Sequence, residues 1–181
     1  MHTLLPFIGN ELTDHQYRQL NESSLREFRL HLPPLPELSD RLYFLLAETE
    51  TEKILASGYL KPIHPVIFTH ITFSFLNIGG IIANEKGQGY GKQIMLAIRD
   101  YLISADKIGL GFCWPKNQGF YEKCGFKVDA LSTPRFIYRN GSERMTAEGQ
   151  YVLYQDSSDH FMEKILSHGD QEIFVPDPTI W

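Results

Sequence analysis

Long apolar runs, a cysteine framework and a basic stripe are all missing from this sequence of 181 residues. No segment reaches the roughly 20 apolar residues that a membrane-spanning helix needs, so we expect no membrane association. Cys113 and Cys124 are too few for a disulfide framework and lack metal-site spacing, which suits a reducing compartment. A secretory signal is not expected, because Asn10, Glu11 and Asp14 interrupt the first apolar run. We therefore predict a cytoplasmic protein.

Basic residues are scarce toward the end of the chain. The net charge is −5, and residues 141–181 carry eight acidic but only two basic side chains. Because no stripe of Lys and Arg exists, nucleic acid is not an expected partner. The acidic region could attract a cationic amine through its field, or it could simply be a solvated surface.

Apolar periodicity predicts strands and helices along the whole chain. The first helix begins at a capping box, Thr13 to Gln16, and must end by the proline-rich segment 32–36. With 43% hydrophobic residues, the chain can bury one good core. The predicted strands are 3–8, 42–47, 54–60, a long region within 66–82, 108–113, 126–128, 135–138 and 151–154. The later predicted helices follow Gly89 and cover 117–124 and 158–168.

A glycine-rich turn separates the apolar run 78–83 from the helix that follows it. Residues 86–92 read Lys-Gly-Gln-Gly-Tyr-Gly-Lys. Such a turn can point successive backbone N–H groups into one concavity, where the helix dipole also favours an anion. Glycine suits it because glycine reaches positive φ freely and lets an oxygen approach the backbone. The pattern predicts a phosphate-binding turn, although a purely structural turn has the same composition.

Two common phosphate motifs fit this turn poorly. A P-loop needs Ser or Thr after its Gly-Lys pair, whereas Gln93 follows Lys92, and it needs a glycine at the position of Lys86. In the dinucleotide fingerprint the third glycine comes one residue later than here, although Asp106 lies at a tolerable distance for its acidic residue. The first motif is excluded and the second is disfavoured.

A second motif lies between a short predicted helix and a strand. Residues 120–126 read Phe-Tyr-Glu-Lys-Cys-Gly-Phe, and Gly125 suits a left-handed helix stop. Adjacent helix positions face different ways. Phe120 is therefore the better candidate for packing, and Tyr121 is the candidate for chemistry, although an aromatic residue packed between helix and sheet is the alternative.

With these two motifs in this order, the chain resembles the GNAT superfamily of acyl-CoA-dependent N-acyltransferases. Residues 86–91 match that family's Arg/Gln-x-x-Gly-x-Gly/Ala loop with lysine at the first position. Residues 120–126 match its Tyr-Glu-Lys-x-Gly-Phe signature. The resemblance implies an α+β (mixed α/β) fold with a central mixed sheet of six to seven strands flanked by helices and an added C-terminal helix. We expect one acyltransferase-like domain over 1–181, with a cofactor-binding core at about 76–128 and a C-terminal helix and tail at about 157–181.

The resemblance also implies an N-acetyltransferase that moves an acetyl group from acetyl-CoA (coenzyme A) to a primary amine by direct attack in a ternary complex. The amide near Ile81 would polarise the thioester carbonyl. Tyr121 would be the catalytic proton donor to the departing thiolate, since a phenol of pKa near 10 can protonate sulfur. The implied cofactor-binding residues, with no metal, are Gly79, Gly80, Ile81, Lys86, Gly87, Gln88, Gly89, Tyr90, Gly91, Lys92 and Asn117.

The sequence departs from the family seven residues before Tyr121. An asparagine often contacts the cofactor there, whereas this chain has Trp114. Asn117 is the substitute candidate, and it could instead cap the helix.

The acceptor side carries little signal. Residues 32–38 and a loop at 61–65 would border the acceptor cleft, which permits a small-molecule or a peptide amine. His64, His70 and Glu85 lie nearby, but none is singled out as general base. The protein is expected to be a monomer or homodimer. Two other classes stay open, a non-catalytic acyl-CoA-binding regulatory module and a nucleotide-binding α/β protein.

Overall fold

A computed structural model of the chain describes residues 1–140 and 143–176. Within those residues it has ten strands and four α-helices in mixed order. The strands are β1 (His2–Ile8), β2 (Leu42–Glu48), β3 (Ile54–Phe68), β4 (Ile71–Ala83), β5 (Gly109–Cys113), β6 (Lys127–Asp129), β7 (Phe136–Asn140), β8 (Glu143–Met145), β9 (Tyr151–Gln155) and β10 (Ile173–Phe174). The helices are α1 (Asp14–Phe28), α2 (Tyr90–Ser104), α3 (Gln118–Lys123) and α4 (Phe161–Leu166).

The contacts within the chain divide it into two compact units. The first contains Met1–Lys61 and Gly79–Ile98, and the second contains Pro62–Ile78 and the described residues from Arg99 onward. The chain passes between them within β3, β4 and α2, so each of these elements contributes to both units.

The first unit is built on an antiparallel ladder. β1 pairs with β2 from His2↔Glu48 to Ile8↔Leu42, and β2 pairs with the first half of β3. Helix α1 begins at the predicted capping box, in which Thr13 accepts from the Gln16 amide and Gln16 accepts from the Thr13 amide. The residues packed in its core include Leu12, Leu20, Leu38, Tyr43, Leu45 and Ile54.

The second unit has a mixed sheet in the order β6-β9-β5-β4-β3-β10-β7-β8. β4 and β5 are parallel, whereas β9 runs antiparallel to both β5 and β6. A buried arginine ties this sheet to α4, since Arg135 donates to the carbonyls of Ile165, Leu166 and Gln171 at 2.8–2.9 Å. The buried core includes Ile63, Val66, Phe68, Phe75, Leu110, Phe136, Val152 and Met162.

The predicted α+β class and the helix-flanked mixed sheet are confirmed, including a C-terminal helix. Among the residues described, the sheet has ten strands and not the six to seven expected, and two of them, β8 and β10, carry too few residues to show a periodic pattern. The expected loop at 61–65 is wrong, since those residues continue β3. Helix α1 ends earlier than the prolines require, at Arg29 in the left-handed region (φ 63°). Residues 141–142 and 177–181, which belong to the predicted acidic region and tail, lie outside the described residues.

None of the helices in the described part of the chain combines the length and the apolar composition that crossing a bilayer requires.

Candidate functional site

The glycine-rich turn connects β4 to α2 inside the first unit. Gly87 and Gly89 both have positive φ, 81° and 77°, which side-chain-bearing residues adopt only with strain. A methyl group added at either glycine would have no heavy atom within 4 Å. The backbone of the turn is therefore open to the surroundings at both positions.

The amides of this turn are not used by the protein. In the described chain, no backbone hydrogen bond outside helices and strands has an amide of residues 87–92 as its donor. The first amide of the segment that donates is Gln93, which bonds to the Gly89 carbonyl at 3.2 Å. Several exposed N–H groups thus gather at the start of α2, where the helix dipole adds partial positive charge. This is an arrangement that can hold an anion without rearrangement.

Charged side chains flank the turn. Lys86 lies 2.9 Å from a carboxylate oxygen of Glu27, and Glu85 lies 2.7 Å from the ammonium of Lys53. Both pairs are solvent-exposed and contribute little stability. Lys92 is exposed on the first turn of α2.

Asn84 fixes the start of the turn, a role that no motif around it predicts. Its side-chain amide donates to the carbonyl of Ile54 at 2.6 Å. Its side-chain oxygen accepts from the Ser23 hydroxyl at 3.0 Å and from Arg26 at 2.5 Å. Its backbone amide donates to Leu55 at 2.8 Å. The turn is therefore anchored to both α1 and β3.

Gly79 and Gly80 of β4 are covered by one aromatic ring. A Cβ at Gly79 would come within 2.6 Å of the Tyr59 hydroxyl oxygen, and one at Gly80 within 2.7 Å of the same ring. Gly80 also has positive φ (59°), an irregularity within the strand that precedes the half-buried Ile81. Glycine is required at both positions because the space for a side chain is already filled.

Tyr121 belongs to the second unit and sits on the short helix α3. Burial raises the pKa of its phenol to about 12, and the thiols of Cys113 and Cys124 act in the same direction. The side chain is half-buried. The phenol is thus neutral across the physiological range and can donate a hydrogen bond.

The turn that ends α3 is fixed by local hydrogen bonds. Gly125 adopts the expected left-handed conformation (φ 85°), and its amide donates to Glu122 at 2.9 Å. The Phe126 amide donates to the Tyr121 carbonyl at 3.2 Å. Asn117 occupies the N-cap position of α3, but its side chain makes no capping hydrogen bond. Asn117 thus stands where the alternative interpretation put it, at the start of α3, but its side chain does not cap the helix.

The parallel strands β4 and β5 approach each other closely in the second unit. Their paired residues are Leu76 with Gly109 and Asn77 with Leu110. A Cβ on Gly111 would lie 2.8 Å from the Ile78 carbonyl oxygen, so only glycine permits this approach. β4 continues for six residues beyond Asn77.

One cluster of potential metal ligands lies elsewhere in the second unit, at Asp156, His160 and Glu163. The carboxylate of Asp156 already accepts from the amides of Ser157, Met162 and Glu163 at 2.9–3.0 Å. These bonds satisfy the first amides of α4, so the cluster serves as a helix cap.

The predicted site residues divide between the two units. The ten from Gly79 to Lys92 lie together on the strand, turn and helix start of the first unit. Asn117 and Tyr121 lie together on α3 and the residue before it in the second unit.

The fold is that of GNAT-type N-acyltransferases. An acyl-CoA N-acyltransferase from Pseudomonas aeruginosa is similar, with a TM-score of 0.58, 14% identity and coverage of 86% of this chain and 99% of that one. Arabidopsis thaliana NAA60, solved in complex with acetyl-CoA, is similar with a TM-score of 0.55 and 8% identity. The match covers 86% of this chain and 99% of that one. A longer protein from Enterococcus faecalis V583 is similar with a TM-score of 0.54 and 14% identity. The match covers 70% of this chain but only 32% of that protein. Neither a protein-family model nor a curated protein matches the sequence.

Proposed function

We propose that the protein is an N-acetyltransferase that transfers an acetyl group from acetyl-CoA to a primary amine in a ternary complex. The observation that carries the proposal is the set of unused amides over residues 87–92 at the start of α2, on a chain with the GNAT fold. Acetyl-CoA supplies the activated acetyl thioester, and the chain supplies binding, orientation and hydrogen bonds.

The residues present fit the phosphate end of this cosubstrate. Amides of residues 87–92 would donate to the diphosphate oxygens, and the open space around Gly87 and Gly89 admits those oxygens to the backbone. Lys92 would add positive charge. Nearer the acetyl group, the amide of Ile81 would donate to the thioester oxygen, where negative charge grows during attack.

Tyr121 would act on the leaving sulfur. Its pKa of about 12 exceeds that of an ordinary thiol, near 8.5, so full proton transfer from the phenol to the thiolate is unfavourable. We therefore assign Tyr121 chiefly to donating a hydrogen bond, with the proton lost by the attacking amine available to the sulfur. Because the phenol stays neutral, this donor is present at every physiological pH.

The amine must be unprotonated to attack, and no residue is assigned to remove its proton. His64 and His70 are exposed, and Glu85 is paired with Lys53. Holding the amine beside the thioester can supply a large part of the acceleration, because oriented reactants reach effective molarities of about 10⁵ M or more.

Incubating the purified protein with acetyl-CoA and a panel of amines, read by release of free thiol, tests the proposal. Acceptor-dependent release supports acetyl transfer, and mass spectrometry should show the acceptor heavier by one acetyl group. Calorimetry with coenzyme A, NAD and ATP separates the alternatives. Tight binding of coenzyme A with no transfer to any amine would indicate a non-catalytic module, and preferred binding of NAD or ATP would indicate a nucleotide-binding protein.

A further inference from the structure

A cationic side chain lies against the aromatic ring that covers Gly79 and Gly80. The guanidinium carbon of Arg41 is 4.9 Å from the centre of the Tyr59 ring. Tyr43 packs on the same ring, with the two ring centres 5.5 Å apart. All five residues belong to the first unit, so the cluster is continuous with the strand segment that precedes Ile81.

Two polar atoms of this cluster, one on Arg41 and one on Tyr43, are buried without a well-formed hydrogen bond in the described residues. Within residues 1–140 and 143–176, neither Nε of Arg41 nor the hydroxyl of Tyr43 makes a hydrogen bond of good geometry, although the two side chains lie close to each other. Among residues 1–140 and 143–176, no salt bridge includes Arg41. Leaving a buried donor unpaired is costly, so native proteins usually satisfy such groups. A ligand that pairs with them would recover part of that cost.

The cluster is held in place before any ligand arrives. The backbone of Arg41 donates to Leu38 at 2.9 Å and accepts from Gly9 at 2.8 Å, and its side chain rests on Tyr59. Tyr43 is 3% exposed, and burial raises the pKa of its phenol to about 12, while the charge of the neighbouring Arg41 and a hydrogen-bonding interaction with its side chain act in the opposite direction. Both groups therefore present donors, a fixed cation and a neutral phenol.

We propose that Arg41, with Tyr59 beneath it, binds a carboxylate of the amine acceptor, so that the protein acetylates amines that carry a carboxylate. This inference rests on the proposed function. A guanidinium recognises a carboxylate through two parallel N–H···O bonds, which one ammonium cannot reproduce. Leu32 and Leu35 pack against the same core cluster, so an acceptor with an apolar body suits the surroundings.

Matched acceptors that differ only in the carboxylate test the inference. The probes are phenylalanine against phenylalaninamide and 4-aminobutyrate against 4-aminobutyramide, which place the carboxylate at two distances from the amine. For at least one pair, kcat/KM should be about 10-fold or more higher for the acid than for the amide, as expected for a charge-assisted pair. The amine of phenylalaninamide is less basic than that of phenylalanine, so more of it is unprotonated at a given pH. A higher rate with phenylalanine therefore cannot come from a larger fraction of free amine.

Variants then test whether Arg41 is responsible for the preference for acids over amides. Arg41→Gln should lower kcat/KM for the preferred acid about 10- to 100-fold and change that of its amide less than about threefold. Arg41→Lys should restore only part of the loss. Arg18→Gln, the same charge change at an exposed arginine, should leave both values unaltered. Calorimetric binding of coenzyme A should be unchanged in all three variants.

The outcomes separate this inference from the proposed function. Transfer to amines with no preference for the acids, or an equal loss for acid and amide in Arg41→Gln, would overturn the carboxylate site and leave acetyl transfer standing. Preferred use of aminomethylphosphonate over both acids would overturn it in favour of a phosphoryl group. No transfer to any amine would overturn both.

Discussion

The guanidinium of Arg99 lies directly on Gly125, at the turn that ends the helix carrying Tyr121. A Cβ at Gly125 would meet Nε of Arg99 at 2.8 Å and Cζ at 3.0 Å, and the Nε atom is buried without a hydrogen-bond partner. The middle of α2 thus sets the position of this turn inside the second unit. The φ of 85° and the contact with Arg99 both demand glycine.

Gly125→Ala should destabilise the protein by about 2–4 kcal/mol, from roughly 1 kcal/mol of backbone strain plus the steric contact. The matched control is Gly169→Ala, because Gly169 also has positive φ (63°) but no atom within 4 Å of an added Cβ. Urea unfolding of both variants separates the contribution of backbone strain from that of the steric contact with Arg99. Equal losses would mean that Arg99 imposes no steric constraint, and adding Arg99→Ala to Gly125→Ala should recover part of the loss.

Tyr121→Phe should lower kcat about 100-fold while leaving the KM for acetyl-CoA and the unfolding midpoint close to wild type, since only the hydroxyl is removed. Steady-state kinetics by thiol release measures this change. Tyr101→Phe, at an exposed tyrosine of α2, is the control and should have no effect. An undiminished kcat in Tyr121→Phe would refute the role.

Gly89→Ala should weaken coenzyme A binding at least about 10-fold, because the positive φ is lost or strained and the new methyl group occupies the anion-binding concavity. Calorimetry gives the affinity. The substrate control is S-acetylpantetheine, which lacks the diphosphate. Its kcat/KM should change little, and a matching loss for both thioesters would show that the turn acts elsewhere than on the diphosphate.

Asn84→Ala should cost about 2–4 kcal/mol of stability and also weaken coenzyme A binding. The change removes three side-chain hydrogen bonds, including the one that the Ile54 carbonyl accepts. Asn84→Asp retains the acceptor for Ser23 and Arg26 but cannot donate to Ile54, so its loss should be smaller. Chemical denaturation and calorimetry measure both effects, and full affinity in Asn84→Ala would show that the turn holds its shape without this anchor.

The kcat/KM should rise with pH as the amine loses its proton and should show no falling limb up to pH 10. No loss of rate at high pH is expected from Tyr121, because burial raises the pKa of its phenol to about 12. The phenol therefore remains a hydrogen-bond donor up to pH 10. Rates at pH 6–10, with folding checked by circular dichroism, test this expectation. A falling limb with an apparent pKa near 10 would contradict it.

Local features were predictable because their physical requirement lies within a few residues. The capping box at Thr13 and the left-handed stop at Gly125 each satisfy hydrogen bonds or backbone angles inside one turn of chain. Contacts between distant segments were not predictable. Asn84 bonds to Ser23 and Arg26, 61 and 58 residues away, and nothing near Asn84 in the sequence marks it for that role.

β3 shows how a local signal can mislead. A loop was expected at 61–65, and Pro62 and Pro65 do not favour a strand there, because proline removes a backbone donor from a sheet ladder. The strand nevertheless continues to Phe68, and Ile63 and Val66 are buried in the core of the second unit. Burial of these apolar side chains outweighed the missing donors.

The sequence by itself determined the order of the longer elements, the glycine turn at the start of α2 and the helix–turn–strand that carries Tyr121, because each depends on backbone angles and apolar spacing over a short range. Tertiary structure alone decided that Tyr59 covers Gly79, that Arg41 rests on Tyr59 and that Arg99 packs on Gly125. These contacts join residues from 18 to 26 positions apart, and only the pairing of strands and packing of helices brings such residues within van der Waals distance.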